Sequence, residues 1–445
     1  MHAARARLIH NRPQQQGPVV YWMHRELRAA DNWALLHARQ LATERGRPLC
    51  VAVCLARRFG LAARPHFAFL VHGLRGTAQE LEALGIPLVV LRGEPGSAVP
   101  EFLRAVRAGL AVTDADPTRP KRQWLAEALP RIEVSVVEVD GRNIVPARAA
   151  SDKREYMART LRPRIQRLLP EYLHEFPALP APAQPWTAPL PRTDWDALAA
   201  EFGPPPAAFP PGEAAARARL EAFVHEGLPR YADGRNTPLA PAASLLSPYL
   251  HFGQLSAQRV ALCALAARNI PTEARDAFLE QLIVRRELAE NFCLYAPDYD
   301  TPAAFPAWAA ATLEKHRADP RPHLASDTEL DAGDTPDPLW NAAQRQLLAT
   351  GHMHGWLRMY WAKQLLLWSR DAETALARCL RLNDSLSLDG RDVNGYAGMA
   401  WSIGGVHDRP WPERPVFGTV RSMTLSGARR KFDVAAFAAR WTGSR

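Results

Sequence analysis

Eleven prolines fall between Pro177 and Pro211, three of them consecutive at Pro204-Pro205-Pro206. Proline fixes φ at about −65° and has no amide hydrogen, so a stretch this dense in it predicts an extended connector and neither helix nor central strand. The chain, at 445 residues, is also too long for one hydrophobic core. The segments before Phe176 and after Gly212 must therefore find separate cores, and the hydrophobic period differs between the two halves.

Before the connector, short continuous apolar runs at 19–22, 49–55, 88–91 and 134–139 alternate with amphipathic stretches. Runs of this kind are buried on both faces by crossover helices, which predicts a parallel α/β domain over residues 18–150. No Gly-x-Gly-x-x-Gly follows the first run, so a nicotinamide-binding turn has no support. Residues 1–17 carry Arg5, Arg7 and Arg12 with no acid and no apolar core segment, the pattern of a disordered basic tail. Residues 151–212 read as a helical and Pro-rich interdomain connector. Beyond it a 3.6-residue period predicts helices over 213–227, 256–269, 275–294, 339–348, 354–368 and 371–382, making 213–445 an all-α domain.

The net charge of +9 and pI near 9.6 suit an anionic partner and are equally common among enzymes with none. The five cysteines form no Cys-x-x-Cys pair, which argues against a disulfide framework, a zinc ribbon or an iron–sulfur site and points to a reducing cytosol. No apolar run approaches the roughly 20 residues that span a bilayer.

Six of the thirteen tryptophans lie between Trp340 and Trp411. Trp361 and Trp368 are seven apart and share a helical face, which by spacing alone is a packing stripe. Tyr231 to Asn236, followed by Ser244-Leu245-Leu246-Ser247, places hydroxyls and amides at a turn entering a helix, where they serve as an N-cap or as phosphate donors. Arg286 and Glu290 at i,i+4 fit a surface ion pair worth about 0.3 to 0.5 kcal/mol. Asn383-Asp384 fits a helix-end cap and Asp389-Gly390-Arg391 a turn. Arg409, Arg414, Arg421, Arg429, Arg430 and Lys431 form a basic series that fits either a solvated face or phosphate contacts. His352 and His354 lack a third ligand in a suitable pattern and read as structural, so no metal site is expected.

Joint occurrence changes these readings. Gly351 to Lys363, Asn383-Asp384, Leu388 to Asp392 and Trp401 to Asp408, in this order, resemble class II cyclobutane pyrimidine dimer photolyases of the photolyase/cryptochrome family. Ala277 to Phe292 is similar to the helix that the family writes E-E-L-I-V-R-R-E-L-A-D-N-F. The resemblance runs from Pro18 onward and is densest over 339–434. It implies a Rossmann-like, doubly wound antenna domain followed by an all-α domain that holds FAD, active in its reduced form. It assigns Tyr231, Arg235, Ser244, Leu245, Leu246, Ser247 and Arg285 to the flavin dinucleotide. Asn383 falls to the reactive N5 edge, with Arg358 and Asp389 as an ion pair beside the ring. Trp361, Trp340 and Trp368, from inside outward, match electron-relay positions. Trp401 matches the aromatic that meets the flipped dimer, with Arg429 and Arg430 on DNA phosphates. The chain departs from the family at Gln281, where a second Glu is usual. An amide donates a hydrogen bond but no carboxylic proton, which leaves neighbouring Glu280 as the other substrate-binding candidate.

The implied activity is light-driven repair of pyrimidine dimers in double-stranded DNA by electron transfer from excited reduced FAD, a carbon–carbon lyase reaction. The partner is the damaged duplex, with no membrane, no obligate protein partner and a monomeric state, in the cytoplasm or at the nucleoid of a bacterial cell. An antenna chromophore, deazaflavin or folate, belongs to the N-terminal domain, where an empty pocket is the other option. A cryptochrome-like FAD light sensor is the alternative function. A (6-4) photolyase and a flavin-free nucleic-acid-binding protein fit the segments less well.

Overall fold

The computed structural model describes residues 1–239 and 242–442. They gather into two compact units, Met1–Asp152 with Arg164–Leu220 and Leu246–Ala266, and Lys153–Pro163 with Glu221–Leu245 and Ala267–Arg445.

The first unit is built on six strands: β1 (Ala6–His10), β2 (Val19–Trp22), β3 (Leu49–Leu55), β4 (Leu88–Arg92), β5 (Leu110–Asp114) and β6 (Val136–Val139). Their order is β1-β6-β5-β2-β3-β4, parallel throughout except for β1 against β6. Successive side chains alternate between faces, and both faces are buried. Val19, Tyr21, Val51, Val53 and Val112 pack with Leu35 and Ala38 of α1 (Trp33–Glu44) and Leu74 and Leu81 of α2 (Arg64–Ala83). Val20, Trp22, Cys50, Ala52 and Ala111 pack with Val99, Phe102 and Leu103 of α3 (Pro95–Ala105) and Ala128 of α4 (Arg119–Ala128). Helices on both faces of a mostly parallel sheet make this a doubly wound α/β domain.

The sheet reverses its strand order between β2 and β5. At the carboxyl ends of those strands the Asp114 carboxylate accepts from Tyr21 Oη at 2.6 Å and from the amides of His24 and Arg25 at 2.9 and 2.8 Å. Lys121 Nζ donates to the His24 carbonyl at 2.8 Å and lies 4.2 Å from the Trp124 ring centre.

Residues 1–17 correct the expected disordered tail. Ala6 to His10 pairs with β6, and Arg5 is buried, donating to the carbonyls of Asp140, Asn143 and Ile144. Arginine composition signalled exposure, but the guanidinium finds a ring of carbonyl acceptors that only tertiary folding assembles. The connector also departs from the expected boundaries. It contains the helix Trp195–Phe202, which occupies the one long proline-free interval, with Asp194 accepting from the Ala197 amide at 2.9 Å and Gly203 closing it at φ +77°. Its Phe176 packs on Trp33 with ring centres 4.6 Å apart, so it belongs to the α/β unit. That unit also takes Leu246–Ala266, which the sequence places in the all-α half.

The second unit is helical, and among the described residues its only β feature is one bridge, Arg414 with Gly418. Its core joins the helices Arg286–Tyr295, Pro338–Thr350, Gly355–Leu367, Ala372–Leu386 and Val393–Gly404. Gly351, at φ +68°, ends the second of these in the left-handed conformation that glycine adopts without penalty, and the chain turns into the third. The sequence predicted one helix over 275–294. Glu280–Arg285 instead forms a π-helical turn inside it, a device that recurs at functional sites. Among the described residues no helix is long and apolar enough to cross a membrane.

Candidate active site

The three tryptophans singled out above come together in the second unit. Trp340 is fully enclosed on the helix Pro338–Thr350, and Trp361 and Trp368, on and just after Gly355–Leu367, are 1% and 5% exposed. Trp340 lies between the other two. Its ring stacks on Trp361 with centres 5.9 Å apart and planes 6° apart, and it meets Trp368 edge-on at 5.7 Å. Its indole N–H donates to the Trp361 carbonyl at 3.0 Å, and that of Trp361 donates to Gln344 Oε1 at 3.0 Å. Buried indoles need such partners, and here the same bonds fix the ring planes.

A basin rich in donors is built from the loop and helix starts around it. Arg358 Nη2 meets Asp389 Oδ1 at 3.0 Å, with both side chains largely buried. Asp389 also acts on Arg391 and His352 by charge, and His354 is bonded to the Arg235 backbone. Burial lowers both histidines to about 4, so they are neutral at physiological pH. The Nε atoms of Arg235, Arg358 and Arg391 are buried without a hydrogen-bond partner among the described residues. Buried guanidinium donors without acceptors are costly, so the basin is shaped for an acceptor-rich ligand. Arg391 holds φ +60°, a strained conformation for a residue with a Cβ, and Leu245 holds +56°.

Asn383 is buried in the helix Ala372–Leu386. Its Nδ2 donates to Asp384 Oδ1 at 3.0 Å and its Oδ1 accepts from Ser387 Oγ at 3.3 Å. Asp384 in turn accepts from the Arg391 amide at 2.8 Å, and burial raises its carboxyl above the ordinary range despite these donors. Gly390 and Gly395 make room for this cluster: a Cβ on Gly390 would fall 2.5 Å from the Asn383 carbonyl, and one on Gly395 3.0 Å from Asn383 Nδ2.

Tyr231 packs edge-on against Phe278 at 5.2 Å and carries the Arg235 guanidinium 6.0 Å from its ring centre. Ser244 and Leu245 belong with them to the second unit, whereas Leu246 and Ser247 fall in the first, so the expected serine turn is not gathered in one unit.

Glu280, the other substrate-binding candidate, is held by two arginines. Arg162 grips its carboxylate at 3.0 and 2.8 Å and Arg285 adds a bond at 3.2 Å. Burial raises this carboxyl, but the two arginines outweigh it and hold it below the usual range. Glu280 is therefore held ionised, and Arg285, placed with the flavin by resemblance, is one of its two partners. Gln281 is exposed on the same π turn. Arg286 and Glu290 are both buried, which corrects the surface ion pair that spacing suggested.

Trp401 lies in the last turn of the helix Val393–Gly404, half-buried, with Lys363 Nζ 4.7 Å and the Arg421 guanidinium 5.6 Å from its ring centre. Arg421 also covers Trp411 at 4.0 Å and pairs with Asp408 at 3.0 Å. Arg429 and Arg430 are exposed on and after the short helix Leu425–Arg429. Sequence reasoning passed over Lys363 and gave Arg391 no role of its own. The signal for Arg391 was its Asp-Gly-Arg turn, where a glycine precedes a strained residue. Lys363 gave none, because a lysine in an aromatic helix reads as its solvent side. Among the described residues no group of three or more His, Cys, Asp or Glu is placed to hold a metal ion.

The sequence model of the DNA photolyase family matches residues 19–183. The chain is 44% identical over 439 residues to a deoxyribodipyrimidine photo-lyase of Arabidopsis thaliana, covering 95% of this chain and 88% of that one. The chain belongs to the DNA photolyase family. A deoxyribodipyrimidine photo-lyase of the marsupial Potorous tridactylus is likewise 44% identical, over 97% of this chain and 83% of its own length. In fold, the photolyase-family chain is similar to the crystal structure of a Synechocystis cryptochrome, with a TM-score of 0.74 at 18% identity, covering 96% of this chain and 89% of that one.

Proposed function

We propose that this protein is a deoxyribodipyrimidine photo-lyase, which uses light to split cyclobutane pyrimidine dimers in DNA. The observation that carries the reading is the contiguous indole series Trp361, Trp340, Trp368 together with the buried, acceptor-seeking Nε donors of Arg235, Arg358 and Arg391, Arg358 sharing a helix with Trp361. Likeness to enzymes of that name over nearly the whole chain supports it.

FAD fits the basin. The unpartnered Nε atoms of Arg235, Arg358 and Arg391 suit its phosphates and ring carbonyls, and Tyr231, Ser244 and Leu245, of the same unit, are assigned to the dinucleotide with them. When bound in reduced form, FAD supplies an excited electron donor. The rest is done by the protein. Trp368, Trp340 and Trp361 pass electrons inward in that order to restore the donor. Asn383, fixed by Asp384 and Ser387, presents an amide that accepts or donates a hydrogen bond, which suits a ring edge whose protonation changes. The Arg358–Asp389 pair keeps a guanidinium at the site without leaving an uncompensated charge. Trp401 offers a face to the extruded dimer, and Arg429 and Arg430 take phosphates at the rim. With Glu280 held by Arg162 and Arg285, Gln281 is the π-turn residue left to hydrogen-bond the dimer. An antenna chromophore, a deazaflavin or a folate, belongs at the sheet's switch point, where Trp22 Nε1 and His24 Nδ1 are buried without partners among the described residues.

The test is loss of thymine dimers from an irradiated oligonucleotide, using purified photoreduced protein with its absorption spectrum recorded first. Repair in light and none in darkness is expected. Flavin absorbance without repair would favour a light sensor, and a colourless protein would remove the flavin altogether.

A further inference from the structure

Lys363 is fully enclosed in the helical unit, and its Nζ has no hydrogen-bond acceptor among the described residues. An ammonium carries three donors, so this burial is unfavourable and no contact in the core offsets it. The charged and titratable groups acting on it are few. Asp408 and Arg421 approach from the segment after the helix Val393–Gly404, and Cys379 from the helix Ala372–Leu386. Cys379 is a buried neutral thiol, pushed well up by burial. Asp408 is already committed, accepting from Arg421 Nε at 3.0 Å, Arg421 Nη2 at 3.3 Å and Trp411 Nε1 at 3.4 Å. The aromatic neighbour of the amine is Trp401, 4.7 Å away.

Burial lowers the Lys363 amine to about 7, Asp408 raising it and Arg421 lowering it further. Its charge is therefore sensitive, at neutral pH, to anything that disturbs the Asp408–Arg421 pair. A DNA phosphate is such a perturbation. Arg421 is over a third exposed, and a phosphate that draws it from Asp408 removes a repelling cation from Lys363 and frees an attracting carboxylate.

We propose that Lys363 is a positioning residue for the lesion, taking up a proton when DNA engages Arg421 and holding the Trp401 indole against the dimer by a buried cation–π contact. The inference rests on the repair reading above, which places Trp401 against the dimer. A protonated amine at this ring binds it through the quadrupole, whereas a neutral amine does not, so lesion binding and Lys363 protonation are linked.

The experiment measures dark binding of a labelled thymine-dimer oligonucleotide, and of its undamaged counterpart, from about pH 6 to about pH 9 by fluorescence anisotropy. Wild-type affinity for the dimer is expected to fall as pH rises through neutrality. In K363M the slope is expected to be shallower by up to one proton, a factor of about ten per pH unit. Undamaged DNA offers the same phosphates, so its binding should show proton linkage in wild type too, but K363M should cost the dimer more affinity than it costs undamaged DNA. Superimposable wild-type and K363M profiles on the dimer overturn the proposal, and K363Q is the second variant if K363M does not fold. In the free protein, the indole fluorescence difference between wild type and W401F should titrate near neutrality. A flat difference overturns the coupling without reference to DNA. A wild-type protein with no preference for the dimer at any pH would instead sink the repair reading itself.

Discussion

Replacing Lys363 by methionine should stabilise the protein, and by an amount that depends on pH in a defined direction. The amine titrates at 10.5 in an unfolded chain and at about 7 in the fold. The difference, 10.5 − 7, is about 3.5 units, and at about 1.36 kcal/mol per unit it corresponds to on the order of 5 kcal/mol. The sign follows from proton counting. Between the two values the unfolded chain binds a proton that the folded chain does not, so wild-type stability rises with pH across that window. At and below pH 7 the full penalty is present, and as pH approaches 10.5 it disappears. Methionine has a similar shape and no charge, so K363M escapes the penalty and forfeits only the contact with Trp401, worth about 2 kcal/mol when desolvated. The assay is guanidinium denaturation at a series of pH values, followed by tryptophan fluorescence. The variant's midpoint should exceed the wild type's near pH 7, with the gap closing steadily toward pH 10. A gap of constant size, or a variant less stable at every pH, would refute the idea that Lys363 is buried as a strained base. Together with the binding experiment this sets a trade of stability for function at one residue.

Two further outcomes are expected. Trp361→Phe and Trp340→Phe should each slow photoreduction by an external thiol while leaving the spectrum of the oxidised protein in place, and an unchanged rate would remove the relay assignment. Gly404→Ala drives a Cβ into the Phe305 ring and should lower stability by about 1–3 kcal/mol, measured by thermal melting.

The α/β half was readable because β2, β3 and the first four residues of β4 are continuous apolar runs, which a doubly covered sheet accommodates. β1 was not, since Ala6-Arg7-Leu8-Ile9-His10 mixes charge with apolar residues and its partner, β6, lies about 130 residues away in sequence. The helix Trp195–Phe202 was masked by the prolines on either side of it, although Asp194 and Gly203 were visible as its caps. At the site, spacing put Trp361 and Trp368 on one face but was silent on Trp340, which reaches them from another helix. Resemblance supplied the order that periodicity could not. The π turn Glu280–Arg285 was not legible, because it adds a residue to one turn of the helix, so the faces inferred from a 3.6-residue period slip there.

The hydrogen bonds of the inner indoles bear on what can happen after one of them loses an electron. An oxidised tryptophan is far more acidic than the neutral indole, and its N–H can pass a proton to a sufficiently basic partner. Trp340 points its N–H at a peptide carbonyl and Trp361 at a carboxamide oxygen, both far too weakly basic to accept it. Among the described residues neither hydrogen-bond partner offers a route to a neutral radical. In the relay proposed above, the positive charge would therefore stay with its proton and stay mobile, free to pass outward toward Trp368.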